Sequence, residues 1–174
     1  MKHSLVNALK IFKLGEPVLR QKCKVVKEIT PEIRALAADM LRTLYAVPGV
    51  GLAANQVGVS VRLCVIDVVP DGRRQPLVLI NPVIAAGEGR VEAEEGCLSL
   101  PGIWATVKRF KKVRIDAINE MGLPFTVTGE GLLSRALQHE LDHLDGKVFI
   151  DYLAEHQKKT IEKEIRARKK QGAW

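Results

Sequence analysis

The sequence predicts an α+β fold: short-stranded, mainly antiparallel sheets around a central helix, with a C-terminal helix beyond it. Three observations lead there. Five short runs rich in Val and Ile, separated by turn residues, lie between residues 61 and 128. One helical pattern precedes them and two follow. The order is not a β-α-β alternation, which separates this arrangement from a parallel α/β sheet.

The first helix opens at Thr30, whose hydroxyl suits an N-cap, with Pro31 at the first helical position. Behind it Ile33, Leu36, Ala37, Met40, Leu41 and Leu44 recur at helical spacing until Pro48-Gly49. The strand runs are 61–68, 77–84, 103–107, 113–118 and 123–128, divided by turn residues such as Asp71-Gly72, Gly87-Glu88-Gly89 and Met121-Gly122. A second helix is expected over about 130–145, stopping at Gly146, and a third, charged one over about 154–170. No linker or repeat divides the chain, so residues 1–174 read as one domain, with 154–174 as a basic C-terminal helix.

At 174 residues and 47% hydrophobic, the chain is long enough to bury a single core, and its composition excludes disorder and collagen. No apolar run approaches the roughly 20 residues needed to cross a bilayer, so no membrane partner is expected. Asn7, Lys10 and Lys13 interrupt the early apolar stretches, and a cytoplasmic location is expected. Aromatics make up 5%, too few for base-stacking platforms, so no sequence-specific nucleic-acid partner is expected. Of the net charge of +7, most falls in residues 154–174, which suggests an acidic partner for that segment. The cysteines are Cys23, Cys64 and Cys97, an odd and sparse set that argues against a disulfide framework. Cys64 lies in an apolar run and reads as core. Cys23, between Lys22 and Lys24, reads as an exposed thiol.

Chemistry concentrates in the second helix. Gln138-His139-Glu140-Leu141-Asp142-His143 contains H-E-x-x-H, in which histidines at i and i+4 share a face and can reach one metal ion. Glu140, one step round, is placed to take a proton from a water at that ion. Leu132 and Ala136 begin an apolar stripe that His139 and His143 continue, and a metal would explain polar residues there. Ser134, Arg135 and Gln138 read as solvated or supporting positions. A catalytic site of this kind needs a third ligand and an open fourth position. A third histidine three residues after Gly146 would fit one zincin pattern, but Phe149 stands there. Glu162, Glu164 and His156 remain alternatives downstream, and a zincin-type metallopeptidase is the competing enzyme reading. The preferred third ligand is Cys97, in Glu94-Glu95-Gly96-Cys97-Leu98-Ser99-Leu100-Pro101, where Gly96 allows close backbone approach and Pro101-Gly102 suggests a fixed turn. Glu95 and Arg109 are a possible supporting pair, since an arginine fork can fix a carboxylate beside a ligand. A non-enzymatic reading, a ribosome- or RNA-binding module with a structural metal, stays open from the basic tail.

Gly49 to Gln56 formally matches the dinucleotide fingerprint G-x-G-x-x-A, but a helix rather than a strand precedes it. It reads better as backbone that must approach something closely, with the Gln56 amide beside it. Taken in order, G-x-G-L-A-A-x-Q at Gly49 to Gln56, E-G-C-L-S at Glu95 to Ser99 and Q-H-E-x-D-H at Gln138 to His143 resemble the peptide deformylase family. Gly15-Glu16-Pro17-Val18-Leu19-Arg20 is similar to that family's opening, and the C-terminal helix to the type found in Gram-negative bacteria and organelles. The resemblance implies a metal-dependent hydrolase that removes the N-formyl group from formyl-methionine of nascent polypeptides, releasing formate. It implies Cys97, His139 and His143 as ligands of one divalent metal, commonly Fe²⁺, with Zn²⁺, Ni²⁺ or Co²⁺ able to replace it. It further implies Glu140 as general acid/base, Gln56 and the Leu98 backbone N–H as oxyanion donors, and Gly51 as a substrate-backbone contact. Val50, Gly96, Leu132 and Ala136 would complete the substrate site, and the basic helix would suit docking near the ribosomal exit tunnel.

Overall fold

The computed structural model describes residues 8–69 and 72–174; Asn7 and the Asp71 half of the expected Asp71-Gly72 turn lie outside them. Among the described residues three helices, α1 (Pro31–Tyr45), α2 (Gly131–Leu144) and α3 (Glu155–Lys170), frame seven strands. The strands are β1 (Gly51–Ala53), β2 (Leu63–Ile66), β3 (Leu77–Glu88), β4 (Val91–Cys97), β5 (Leu100–Arg109), β6 (Lys112–Ile118) and β7 (Pro124–Glu130). They form a five-stranded sheet of order β1-β2-β3-β6-β7 and a two-stranded β4-β5 sheet. Every pairing between named strands is antiparallel.

The first helix begins as its sequence dictates: Thr30 Oγ1 accepts from the Ile33 N–H, and Pro31 fills the first position. Its Ala37, Met40 and Leu44 pack with Leu63, Val65 and Ile80 on one face of the large sheet. The opposite face carries Cys64, Ile66, Leu79 and Ile115, which α2 covers with Leu137, Leu141 and Leu144. All four residues of β2 are buried because both faces are covered, which is why that run reads as continuously apolar. A third cluster joins Leu100, Ile103 and Val107 of the small sheet to Phe149, Ile150 and Leu153, with Ile161 of α3 against it.

Several expectations change. The expected turn at 87–89 is displaced, since β3 runs on to Glu88 and Gly89 makes the reversal at φ +62°. Pro101-Gly102 is not a turn but the opening of β5; the reversal falls at Leu98-Ser99. Cys23 is 4% exposed rather than open to solvent, because its N–H donates to the Leu144 carbonyl and draws the thiol into the core beside Cys64. Burial raises the pKa of both thiols. The core stripe of α2 runs through Leu137, Leu141 and Leu144. Leu132, Ala136, His139 and Glu140 form a second face that lines a cleft and shares Ala136 with the core, with Leu132 45% exposed. Amphipathic helices ordinarily bury one stripe, and α2 serves two surfaces.

Candidate metal centre and cleft

A cleft of about 700 Å³ opens between β1, the β4–β5 hairpin and α2. The sheet presents β1 at one wall, the Cys97–Ser99 reversal forms another, and α2 crosses the floor. Cys97 Sγ lies 3.2 Å from His143 Nε2, and one ligand atom from each of Cys97, His139 and His143 falls within 4.8 Å of the others. Among the described residues this is the group able to hold a metal ion. Glu162 is exposed, Glu164 is exposed and paired with Arg168, and His156 is exposed, so α3 brings no alternative ligand to the histidines.

The donor set fits a divalent ion: one thiolate and two imidazoles from rigid elements suit Zn²⁺ or a neighbouring transition metal and leave a fourth position open. The histidines are held differently. His139 Nδ1 contacts Glu95 Oε2 at 3.0 Å, which leaves its other nitrogen for the cleft. Burial opposes a charge on His139, but Cys97 and Glu95 override it and raise its pKa, whereas burial pushes that of His143 down.

The supporting pair expected from sequence is present and larger than expected. Arg109 donates from Nε and Nη2 to the two oxygens of Glu95 at 2.8 and 2.9 Å, and from Nη1 to Asp142 Oδ2 at 2.6 Å. Tyr152 donates its hydroxyl to Asp142 Oδ1 at 2.7 Å. Burial would raise the Glu95 carboxyl, but the Arg109 and His139 contacts win and hold it at about 2. Asp142 stands in the Q-H-E-x-D-H motif, but sequence assigns it no role, and Tyr152 is not singled out by sequence. Of the two roles expected for Ser134 and Gln138, solvated or supporting, the structure shows the supporting one, with both buried. The Gln138 amide takes the Phe110 N–H and donates to its carbonyl, and the Ser134 hydroxyl donates to that same carbonyl. These contacts pin α2 to the β5–β6 turn, since a buried backbone group needs a partner. Arg135 is half-buried and donates to the Glu94 carbonyl at the cleft rim.

Glu140 is 4% exposed, its Oε2 has no hydrogen-bond partner, and burial pushes its pKa up to about 7. Gly51 makes room for it: a Cβ at that position would lie 2.3 Å from Glu140 Oε1. The sequence-level reason for a glycine there is therefore close approach, not dinucleotide binding. Gln56, 1% exposed, accepts the Ala53 N–H with Oε1 at 2.8 Å. That fixes the amide so that Nε2 faces Ser99 Oγ at 3.1 Å and Cys97 Sγ at 3.5 Å. Val50, Gly96, Leu98, Leu132 and Ala136 all line the same cleft.

Residues 8–159 match the model of the polypeptide deformylase family. The chain belongs to that family. It is 48% identical over 166 residues to the peptide deformylase of Endomicrobium trichonymphae, covering 95% of this chain and 98% of the relative. It is 55% identical over 141 residues to that of Desulfitobacterium hafniense, covering 81% and 91%. The peptide deformylase of Legionella pneumophila superposes with a TM-score of 0.89 at 42% identity, covering 96% and 98% of the two chains. That of Ehrlichia chaffeensis in complex with actinonin gives 0.88 at 32%, covering 93% and 98%. The deformylase expectation is borne out; the metallopeptidase and RNA-module alternatives find no support in these likenesses.

Proposed function

We propose that this deformylase hydrolyses the N-formyl group of formyl-methionine on nascent polypeptides through a metal held by Cys97, His139 and His143. The observation that carries the reading is the convergence of these three donors with buried Glu140 in one cleft. The bound ion would supply a Lewis acid that polarises a carbonyl and acidifies water. Glu140 takes the proton of the attacking water and returns it to the leaving amine; a carboxyl near pH 7 suits both halves of that transfer. Gln56 Nε2 and the Leu98 N–H donate to the oxyanion of the tetrahedral intermediate, a role worth about 2.7–4 kcal/mol per donor. The Gly51 backbone aligns the substrate backbone, Val50, Leu132 and Ala136 form the apolar surface for methionine, and Gly96 lets the chain pass close to the cleft.

The proposed metal is Fe²⁺, with Zn²⁺, Ni²⁺ and Co²⁺ suited to the same thiolate–imidazole set. Residues 1–174 are proposed as one catalytic domain, a reading supported by the packing of Ile161 and Ile165 of α3 into the core. No described helix is long and apolar enough to cross a membrane. A cytoplasmic location is proposed from the free thiols, Cys97 among them, which suit a reducing compartment. The basic face of α3 is proposed to dock near the ribosomal exit tunnel. The test is formate release from a formyl-Met peptide: turnover by the metal-loaded protein supports the reading, and none would overturn it.

A further inference from the structure

The C-terminal segment reaches the wall of the cleft. Arg168 of α3 donates from Nη1 to the Pro101 carbonyl at 2.8 Å and from Nη2 to the Gly102 carbonyl at 3.5 Å. Glu164, one helical turn earlier, accepts from the same guanidinium and aims it. Pro101 and Gly102 line the cleft. They also lack cross-strand partners: in the β4–β5 hairpin Gly96 pairs with Trp104 and Cys97 with Leu100, which leaves 101–103 as an unpaired bulge. Carbonyls in such a bulge need another donor, and Arg168 provides it. Gly102 lies at φ +71°, and a Cβ there would meet Arg168 Nη1 at 2.9 Å, so the strand and the guanidinium fit closely.

A second contact reaches the other side of the same reversal. Trp174 Nε1 donates to the Leu14 carbonyl at 3.2 Å, and the Leu14 N–H donates to the Ser99 carbonyl at 2.8 Å. Ser99 is the residue whose hydroxyl holds Gln56. One turn before Arg168, Ile165 is buried at 6% exposure and anchors the helix that carries these contacts.

We propose that the C-terminal segment positions the substrate wall of the cleft, with Arg168 and Trp174 as positioning residues for deformylation. The proposal rests on the functional reading above. The two histidine ligands are held independently of this wall, by α2 and by the Glu95–Arg109–Asp142 contacts, and Cys97 is held by its pairing with Leu100, so loosening residues 101–103 affects substrate binding before it affects the metal. Arg168→Met keeps most of the stem's packing and removes both donors. Its KM for a formyl-Met peptide should rise about tenfold, the worth of a hydrogen bond from a charged donor, with kcat near wild type. Metal content should stay at one equivalent, and amide hydrogen exchange over residues 98–104 should quicken. Arg168→Lys should recover part of the KM, and Trp174→Phe should raise it about threefold. If Arg168→Met does not fold, Glu164→Gln serves instead, with the same direction and a smaller size. Unchanged KM and exchange in the folded variants, beside normal wild-type turnover, would overturn the positioning role alone. Parallel loss of metal and kcat without a KM effect in the folded variants would overturn it too. Failure of the wild type to release formate would instead overturn the deformylase reading, and exchange over 98–104 would still report on the wall.

Discussion

Arg109→Met removes a guanidinium that is 3% exposed while leaving most of its apolar stem. Two carboxylates lose their arginine: Glu95, itself 7% exposed and left with His139, and Asp142, left with the Tyr152 hydroxyl. Breaking a buried pair in this way costs about 3–5 kcal/mol, because a charge is left buried without compensation. The pKa of Glu95, held at about 2 against an ordinary 4.5 by Arg109 and His139 together, stands for roughly 3 kcal/mol, of which Arg109 supplies a part. For a chain of this size each kcal/mol moves Tm by about 2–4 °C, so Arg109→Met should lower Tm by roughly 10 °C at pH 7. The pH dependence follows from the sign of the shift. A carboxyl depressed in the folded state stabilises above its unfolded pKa, and that contribution is lost as pH falls from about 4.5 towards 2. Wild-type Tm should therefore fall over that window, and Arg109→Met should show a weaker slope. Glu95→Gln combined with Arg109→Met should be less destabilised than the sum of the single changes, since the two groups touch. Thermal denaturation followed by circular dichroism reads all of this. A Tm for Arg109→Met within 2 °C of wild type would refute the view that the network is held by compensated burial.

Gly51→Ala places a methyl group where the Glu140 carboxylate lies, so formate release should fall at least a hundredfold while bound metal persists; near-normal turnover would show that Glu140 need not occupy that spot. Activity should decline on aerobic handling and be preserved under nitrogen, because Fe²⁺ and a thiolate are both oxidisable; equal activity of protein purified both ways, with no iron present, would count against iron. Reversing charge at Lys163, Arg166 and Lys170, which lie on an exposed face of α3, should weaken ribosome co-sedimentation at low salt and leave peptide turnover unchanged. Equal co-sedimentation would remove the docking role. Charge reversal tests this better than deletion of the helix, which would also remove Arg168 and Trp174.

Local patterns in the sequence carried the parts of this molecule that depend on local physics. The i, i+4 histidines, the Thr30-Pro31 helix start and the Gly146 stop, at φ +73°, are each readable within one turn of chain. The strand β4 was not legible because Val91-Glu92-Ala93-Glu94-Glu95 is charged and half exposed, held by pairing with β5 rather than by an apolar face. The strand β1, at the edge of the larger sheet, is only three residues long, too short to show a period. Cys23 looked exposed because both flanking lysines are; only the contact with Leu144, far along the chain, turns it inward. In the site, Cys97, His139, His143 and Glu140 were visible as reactive side chains in tight motifs. The Glu95–Arg109 pair was visible as a possibility, whereas Asp142 and Tyr152 join it only through tertiary packing. Ser134 and Gln138 look like ordinary polar helix residues until the β5–β6 turn is brought against them.

The central claim is that Cys97, together with His139 and His143, holds the catalytic metal, and metal stoichiometry tests it most directly. Elemental analysis of purified Cys97→Ala, with Glu140→Ala as the companion that leaves the ligands intact, decides between ligand and bystander. Wild type and Glu140→Ala should each carry one equivalent of divalent metal, and Cys97→Ala should carry almost none after dialysis against a mild chelator. A full equivalent of tightly held metal in Cys97→Ala would contradict the assignment.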